Sequence, residues 1–372
     1  MFEVAQALSA LGLQVDLLAA KGAADHGNVR VLCQAVPGKR VRLSVFGRVL
    51  RRYLAQTDYD VVHSVLPFDF ADLYQPRGGT YAEFILRNAA TYARSTVRLC
   101  KRATAFLNYR RARLLRAERR LCRSAEGPLI AALSQYVVRQ LREHYGTDPR
   151  RIVLTPNGVR TDRCVDPEMA ARLRTQILSE LGVRQDDRPA LFLFVAQDFR
   201  RKGLDPLIHA LHRVGVVPTE RRACLVVVGA DRSAGYRRLA ERLGVEKRIV
   251  FLGPVKEVQN VLSISDVGVL PTFCDAASRS ILEALAAGKP VITTRFNGAA
   301  DHFADGRHGL VIDSPEDLEG LASALRHFSV TANVERAAQA IREDKLTEEI
   351  SIQRVARDLV GVYNSILERK AR

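Results

Sequence analysis

The sequence lacks any apolar run near the roughly 18–20 residues that a membrane-spanning helix needs, so it predicts no membrane span. Its six cysteines form no C-x-x-C pair, and no histidine spacing completes a zinc pattern. We therefore expect reduced thiols in a cytosolic protein rather than disulfides or a zinc site. The opening residues 1–5 contain no basic n-region, which argues against a signal peptide.

What the sequence does contain is typical of a soluble globular protein. Hydrophobic residues make up 47% of its 372 positions and charged residues 26%. This balance excludes intrinsic disorder and collagen-like repeats. At roughly 100–200 residues per domain, the length predicts two or three domains.

Positive charge is concentrated in the first part of the chain, within a net charge of +16. Residues 1–150 hold 24 basic and 12 acidic residues, a surplus of 12. Residues 151–372 hold 33 and 29, a surplus of only 4. We therefore expect the first part to meet an anionic partner, such as a phosphorylated substrate, an acidic membrane or nucleic acid.

Most of that surplus lies in one predicted helical stretch, residues 87–123, which we call the basic tract. Its only acidic residue is Glu118, and its cationic residues are Arg87, Arg94, Arg98, Lys101, Arg102, Arg110, Arg111, Arg113, Arg116, Arg119, Arg120 and Arg123. Interleaved leucines and Phe106 supply an apolar face. A solvated helical face rarely carries such a surplus, so the tract favours an anionic membrane surface or a phosphorylated acceptor. A nucleic-acid-binding protein is the rival hypothesis, although no RRM, KH or zinc-finger signature accompanies the tract.

Short buried strands alternate with helices, which predicts parallel sheets in doubly wound α/β domains. The predicted strands are 15–18, 61–62, 129–133, 151–154, 190–195, 223–228, 249–252, 267–270 and 291–293. We expect an N-terminal domain over residues 1–160 and a second domain over 188–345, joined by the polar stretch 160–188. The last helix, within 352–372, is expected to pack back on the first domain.

Two predicted loops carry candidate chemistry at the carboxyl ends of strands, where open α/β sheets bind ligands. In the first, Arg201 and Lys202 offer a planar fork and a point charge suited to a diphosphate, or form a solvated basic turn. In the second, Asp275 precedes small residues at a helix start, where backbone N–H groups can approach a phosphate. Glu283 follows about 12 Å further along a helix, so the two carboxylates suit two ends of an extended ligand. The alternative is an acid on the helix dipole and an ordinary helical glutamate.

These segments resemble the family 4 retaining glycosyltransferases. The matching residues, in order, are Ala132–Ser134, Arg151–Val153, Pro156–Val159, Phe199–Gly203, Gly229, Phe251–Gly253, Asp266, Asp275, Glu283 and Ala287–Val291. Within that family, the lipopolysaccharide core glucosyltransferases are the most similar, through Asp72–Tyr74, Tyr81–Glu83 and Arg201–Gly203.

The resemblance implies a GT-B fold, in which two Rossmann-like doubly wound domains face a cleft. The first domain would take an anionic glycolipid acceptor, and the second a nucleotide-diphosphate sugar, with UDP-glucose as the expected donor. Arg201 and Lys202 would neutralise the diphosphate, Asp275 would hold the donor sugar, and Glu283 would hold the ribose. The same resemblance places further donor-binding residues at Gly229, Ala276, Ala277 and Ser278. It implies no metal and no cofactor, and a peripheral position on the inner face of the cytoplasmic membrane. A soluble glycosyltransferase or a nucleotide-sugar epimerase of the same fold is the alternative.

The sequence also departs from the family pattern. Asp275 stands where the family usually has Glu, and Arg160 follows the Asn-Gly-Val motif where the family has Asp. The family begins with a strand and a Gly-Gly loop ahead of the helix that opens this sequence. We therefore expect an N-terminal domain without its first strand, and little activity from the chain as given. The loop 75–80 has no His or Asp, and its Arg77 either faces a phosphate or sugar or belongs to a plain turn. His63 and His302 are expected to be structural.

Overall fold

The computed structural model describes residues 1–22, 28–33, 41–92, 94–184, 187–215 and 221–371. The chain divides into two compact units. The first unit comprises Met1–Leu86, Arg94–Pro156 and Ile352–Arg372, and the second comprises Arg87–Ala93 and Asn157–Ser351.

Helices and strands alternate through both units. The helices are α1 (Phe2–Ala10), α2 (Leu43–Leu54), α3 (Tyr81–Ala90), α4 (Ser95–Ala103), α5 (Tyr109–Arg123), α6 (Gln135–Tyr145), α7 (Pro167–Glu180), α8 (Leu204–Val214), α9 (Ala234–Arg242), α10 (Val258–Ile264), α11 (Arg279–Ala286), α12 (Leu318–Ser329), α13 (Thr331–Glu343), α14 (Leu346–Glu349) and α15 (Ile352–Ala371). The strands are β1 (Leu17–Ala19), β2 (Val29–Val31), β3 (His63–Ser64), β4 (Leu73–Tyr74), β5 (Leu129–Ala132), β6 (Ile152–Leu154), β7 (Ala190–Val195), β8 (Ala223–Val228), β9 (Ile249–Gly253), β10 (Val267–Leu270), β11 (Val291–Thr294) and β12 (Gly309–Ile312).

The second unit is built on one parallel sheet with the strand order β12-β11-β10-β7-β8-β9. Strands β8, β10 and β11 are buried along their whole length, as expected when helices cover both faces of a parallel sheet. The order reverses between β7 and β10. Such a switch point leaves a crevice at the carboxyl ends of the two strands, where open α/β sheets bind ligands.

The first unit contains a parallel pair, β1-β2, and a parallel sheet with the order β3-β4-β5-β6. Helix α15 packs on this unit, where Val355 and Leu359 share an apolar cluster with Val4 and Leu8 of α1. The Ser134 hydroxyl accepts a hydrogen bond from the Val137 amide at 3.2 Å, which caps α6.

Several local expectations differ from the structure. The basic tract, expected as one helical stretch, is divided among the end of α3, α4 and α5. The stretch 160–188, expected as a polar join, contains α7, whose Ile177 and Leu178 are buried. The Asp166 carboxylate caps this helix by accepting from the amides of residues 168 and 169. The apolar residues of this otherwise polar segment lie at helical spacing and bury one face of the helix. The strand expected at 61–62 lies at 63–64 instead.

One buried carboxylate organises the end of β4 in the first unit. Glu118 of α5 is fully buried. It accepts hydrogen bonds from the Tyr74 hydroxyl at 2.7 Å, from the Tyr81 amide at 2.7 Å and from the Tyr145 hydroxyl. Because Tyr74 ends β4 and Tyr81 begins α3, a single carboxylate ties together both ends of the loop 75–80. Burial raises the pKa of Glu118 to about 7, although the hydroxyls of Tyr145 and Tyr74 favour its ionised form.

This raised pKa predicts how stability depends on pH. The ordinary value is 4.5, so the folded protein holds this proton more tightly than the unfolded chain does. The resulting stabilisation is complete below pH 4.5 and is lost as the pH rises towards 7. We therefore expect wild-type protein to lose stability relative to Glu118→Gln across this window, by on the order of 3 kcal/mol, because glutamine does not titrate.

Thermal unfolding at a series of pH values from 4.5 to 8 measures this difference. Glu126→Gln, at an exposed position just after α5, is the matched control and should run parallel to the wild type. Parallel curves for wild type and Glu118→Gln would contradict the prediction.

Candidate active site

The candidate site is formed by the loops 196–203 and 271–278, which follow β7 and β10. These strands are neighbours in the sheet, so both loops leave its carboxyl edge at the switch point. Gly203 has φ +85°, and a Cβ built there would lie 1.9 Å from the carbonyl oxygen of Pro271. The Phe273 amide donates to the Arg201 carbonyl at 2.9 Å. Only glycine permits this close approach of the two backbones.

The three residues predicted to be catalytic lie on these two loops. Lys202 Nζ forms an ion pair with Asp275 Oδ2, and the two side chains are only 14% and 18% exposed. Arg201 donates from Nη1 to the carbonyl of Cys274 at 3.4 Å, so it lies beside the same loop. The structure therefore brings Arg201, Lys202 and Asp275 together, with Lys202 and Asp275 in direct contact.

Asp198 holds Arg201 in place from within the first loop. Its Oδ2 accepts from Arg201 Nε at 3.1 Å, and its Oδ1 accepts from the Arg201 amide at 3.1 Å. Burial opposes ionisation of this carboxyl, but these hydrogen bonds outweigh it and lower the pKa of Asp198. The carboxylate thus stays charged at neutral pH and orients the guanidinium.

The main chain at Asp275 is fixed by the loop that follows β11. The Asp275 amide donates to the Phe296 carbonyl at 2.9 Å, and the Gly298 amide donates to the Asp275 carbonyl at 2.9 Å. Between these contacts, Asn297 Oδ1 accepts from the amides of Ser278 and Ala299, each at 3.1 Å. Three successive strand ends, those of β7, β10 and β11, therefore contribute to one cluster.

Small residues line the turn that leads into α11. Ala276 and Ala277 are buried, and the Ser278 hydroxyl accepts from the Ile281 amide at 3.4 Å as the cap of the helix. Glu283, one helical turn beyond Arg279, accepts from its guanidinium at 3.3 Å. Of the predicted donor-binding residues, Ala276, Ala277 and Ser278 thus lie at the start of α11, where the Ser278 hydroxyl caps the helix. Glu283 lies within α11, where its carboxylate is paired.

Gly229 contributes through backbone geometry. It follows β8 with φ +150°, and a Cβ there would lie 1.8 Å from the Ala196 carbonyl oxygen. Its absence of a side chain lets the loop 196–203 pass directly over the end of β8.

Asn157 belongs to this cluster, although sequence reasoning did not give it a role. Its Nδ2 donates to the Ala277 carbonyl at 3.1 Å, so it braces the turn before α11. The available signal was the Pro-Asn-Gly sequence at 156–158, which reads as a turn and does not reveal a partner far along the chain.

The candidate histidine of the first unit is held by a tyrosine. His63 Nδ1 lies 2.9 Å from the Tyr363 hydroxyl of α15. Burial, together with the charge of Arg77, lowers the pKa of His63 to about 4. The imidazole is therefore neutral at physiological pH, which agrees with a structural role.

Neither a metal cluster nor a membrane-spanning helix is present among the described residues. No group of three or more His, Cys, Asp or Glu side chains there is arranged to hold a metal ion. No helix in the described ranges is both long and apolar enough to cross a bilayer.

Comparison with known proteins identifies relatives of both parts of the chain. Residues 1–163 match the description Glycosyltransferase Family 4, and residues 189–329 match Glycosyl transferases group 1. The lipopolysaccharide glucosyltransferase WaaG of Escherichia coli is 32% identical over 211 residues, which cover 56% of this chain and 55% of WaaG. The chain spans about half the length of the curated relatives it matches.

Solved structures share the fold. The crystal structure of WaaG superimposes with a TM-score of 0.75 at 23% identity, covering 97% of this chain and 94% of that one. Anabaena HepE in complex with UDP-glucose gives a TM-score of 0.65 at 17% identity, covering 91% and 86%. The fold is therefore GT-B, as the sequence resemblance implied. The two matched ranges together span most of the chain, so its resemblance to the family 4 glycosyltransferases is confirmed.

Proposed function

We propose that this protein transfers a hexose from a nucleotide-diphosphate sugar to a lipopolysaccharide core or related anionic glycolipid, with retention of configuration. The main support is the Arg201, Lys202 and Asp275 cluster at the switch point of the second unit. WaaG is named a lipopolysaccharide glucosyltransferase, and the HepE structure contains UDP-glucose, so UDP-glucose is the donor we propose.

The cluster suits the chemistry of a diphosphate leaving group. As the bond between the anomeric carbon and the diphosphate breaks, negative charge grows on the departing oxygen. Arg201 and Lys202 would stabilise that charge without a metal ion. The acceptor oxygen would bond to the anomeric carbon on the face that the diphosphate leaves, and its proton would pass to the departing oxygen.

Lys202 and Asp275 would exchange partners when the donor binds. A diphosphate competes with the Asp275 carboxylate for the Lys202 ammonium. Once released, Asp275 can accept hydrogen bonds from sugar hydroxyls. Glu283, which pairs with the partly exposed Arg279, would accept from the ribose hydroxyls. A nucleotide-sugar epimerase of the same fold would use the same donor site, and only assays with an acceptor distinguish the two activities.

Removing either cation tests the donor site. Lys202→Met and Arg201→Met keep the aliphatic stem but lose the charge, so each should cost about 2–4 kcal/mol of transition-state stabilisation. The measurement is kcat/KM for transfer of labelled glucose from UDP-glucose to lipopolysaccharide core. Lys256→Met, an exposed cation of the same unit, is the control and should leave kcat/KM unchanged. Near wild-type turnover in Lys202→Met would contradict the assignment.

The two carboxylates should affect different steps. Glu283→Gln should weaken UDP binding, because a charge-assisted contact with the ribose is lost. Asp275→Asn should impair sugar transfer while leaving UDP affinity unchanged or higher, because Lys202 loses its competing carboxylate. Calorimetry with UDP, together with transfer assays, compares the variants. Equal losses of UDP affinity in both would show that the division of roles is wrong.

We further propose that the basic tract attaches the protein peripherally to the inner, anionic face of the cytoplasmic membrane. Leu99, Leu107 and Tyr109 are 69%, 81% and 66% exposed, and they lie among exposed cations. Leu114 and Leu121, expected on the same apolar face, are buried in the first unit instead. The side chain of Phe106 lies outside the described part of the structure. Exposed apolar side chains flanked by Arg and Lys suit shallow insertion at a lipid surface.

Vesicle binding tests this attachment. Lys101, Arg102 and Arg110 are exposed, whereas Arg113 donates to the Tyr109 hydroxyl. Replacing the first three with Gln should release the protein from anionic vesicles, since each cation contributes on the order of 1 kcal/mol near the surface. Sedimentation with anionic and neutral vesicles over a salt series measures the effect, and added salt should weaken wild-type binding.

The matched control removes three exposed cations from α9 and the loop before it in the second unit. Its substitutions are Arg232→Gln, Arg238→Gln and Arg242→Gln, and they should leave vesicle binding intact. Equal binding to neutral and anionic vesicles would rule out the membrane role. Salt-sensitive binding to nucleic acid in place of vesicles would favour the rival function of the tract.

A further inference from the structure

The residues 87–92 lie at the end of α3 and just beyond it, yet their contacts group them with the second unit. That unit combines Arg87–Ala93 with Asn157–Ser351. We call residues 87–92 the bracing segment. One of its cation–aromatic contacts reaches the loop after β7, and the other reaches the loop after β11, which holds the main chain of Asp275.

The first contact joins Arg87 to the loop after β11. The guanidinium carbon of Arg87 lies 3.7 Å from the centroid of the Phe296 ring, and Arg295 lies 5.2 Å from the same centroid. Phe296 is only 9% exposed. Its carbonyl accepts from the Asp275 amide at 2.9 Å. Arg87 therefore covers the residue that fixes the main chain of Asp275.

The second contact joins Tyr92 to the loop after β7. The guanidinium carbon of Arg200 lies 4.5 Å from the centroid of the Tyr92 ring. Arg200 directly precedes Arg201 and Lys202, and its carbonyl accepts from the Gly203 amide at 3.2 Å within the same turn. Tyr92 thus restrains the turn that presents both cations.

We infer that Arg87 and Tyr92 are positioning residues of the donor site, which hold the loops carrying Lys202 and Asp275 in register. The inference rests on the proposed function in treating these loops as the donor site. Neither residue needs to touch the donor. Arg87 stacks on Phe296, whose carbonyl accepts from the Asp275 amide, and the Tyr92 ring stacks with Arg200, which precedes Arg201. A cation–aromatic contact is stronger when it is partly shielded from water than when it is fully exposed.

The test uses four variants of the full chain. Arg87→Leu and Tyr92→Leu remove the two contacts, and Tyr92→Phe keeps the ring. Arg237→Leu is the matched control, because the guanidinium carbon of Arg237 lies 4.6 Å from the Phe251 ring centroid in the same unit. In this contact, Arg237 belongs to α9 and Phe251 to the edge strand β9. It removes a contact of the same kind in which neither partner belongs to the loops 196–203 and 271–278.

Hydrogen exchange without any ligand measures the restraint directly. Amides of residues 199–203 and 273–276 should exchange faster in Tyr92→Leu and Arg87→Leu respectively, and should match the wild type in Tyr92→Phe and Arg237→Leu. Unchanged exchange in these loops, or equal acceleration by the control, would overturn the inference.

Calorimetry with UDP supplies the functional measurement. Arg87→Leu and Tyr92→Leu should each weaken UDP binding about tenfold, while the control stays within about twofold. Wild-type affinity in both variants would also overturn the positioning role. If wild-type protein binds no UDP but the two loops loosen as expected, the proposed function fails and the bracing contacts stand.

Discussion

The adjacency of β7 and β10 is the constraint on which the candidate site depends. Lys202 and Asp275 are 73 residues apart in sequence, yet they pair because the sheet order makes their parent strands neighbours. Strands β8 and β9 extend the sheet to one side of β7, and β10, β11 and β12 extend it to the other. Gly203 then allows one loop to rest against the backbone of the other. A side chain at that position would separate the two loops, and the ion pair between Lys202 and Asp275 would then be lost.

The ion pair itself explains how such a site tolerates concentrated charge before a ligand arrives. A largely buried ammonium or carboxylate is costly when it stands alone, and removing one partner of a buried pair leaves an uncompensated charge. Lys202 and Asp275 neutralise each other's charge, and Asp198 neutralises the charge of Arg201. Under the proposed function, donor binding is then an exchange of partners, in which the ligand's anionic end replaces Asp275 and its hydroxyls take up the freed carboxylate.

The sequence predicted the strands of the second unit well because buried parallel strands are continuous apolar runs. Strands β7, β8 and β10 begin and end at the predicted residues. Short strands such as β3, with two residues, carry too little pattern to be placed, and the predicted position was wrong by two residues. Helix α7 was missed because three apolar residues within a polar stretch suffice to bury one face.

The candidate site, too, was predicted only in part from the sequence. Local motifs indicated which loops carry charge, and the family resemblance supplied roles for Arg201, Lys202 and Asp275. The pairing of Lys202 with Asp275, and the brace from Asn157, depend on contacts between segments distant in sequence, which no local pattern encodes. Arg87 shows most clearly what a local pattern cannot predict. In the sequence it is one of a run of cations expected at the surface, whereas in the structure its guanidinium stacks on Phe296.

That limit changes how the charge of the basic tract should be counted. By sequence, twelve cations stand against one acid, a surplus of eleven. In the structure the acid, Glu118, is fully buried beneath tyrosine hydroxyls, so it offsets nothing at the surface. The cations of the tract are therefore not offset at the surface by its own carboxylate, which is turned inward and fixes the loop 75–80. Because Glu118 is the only acid of α5 and is buried, the outer face of this helix carries no negative charge. On the inner side, the same carboxylate accepts a hydrogen bond from Tyr74 at the end of β4.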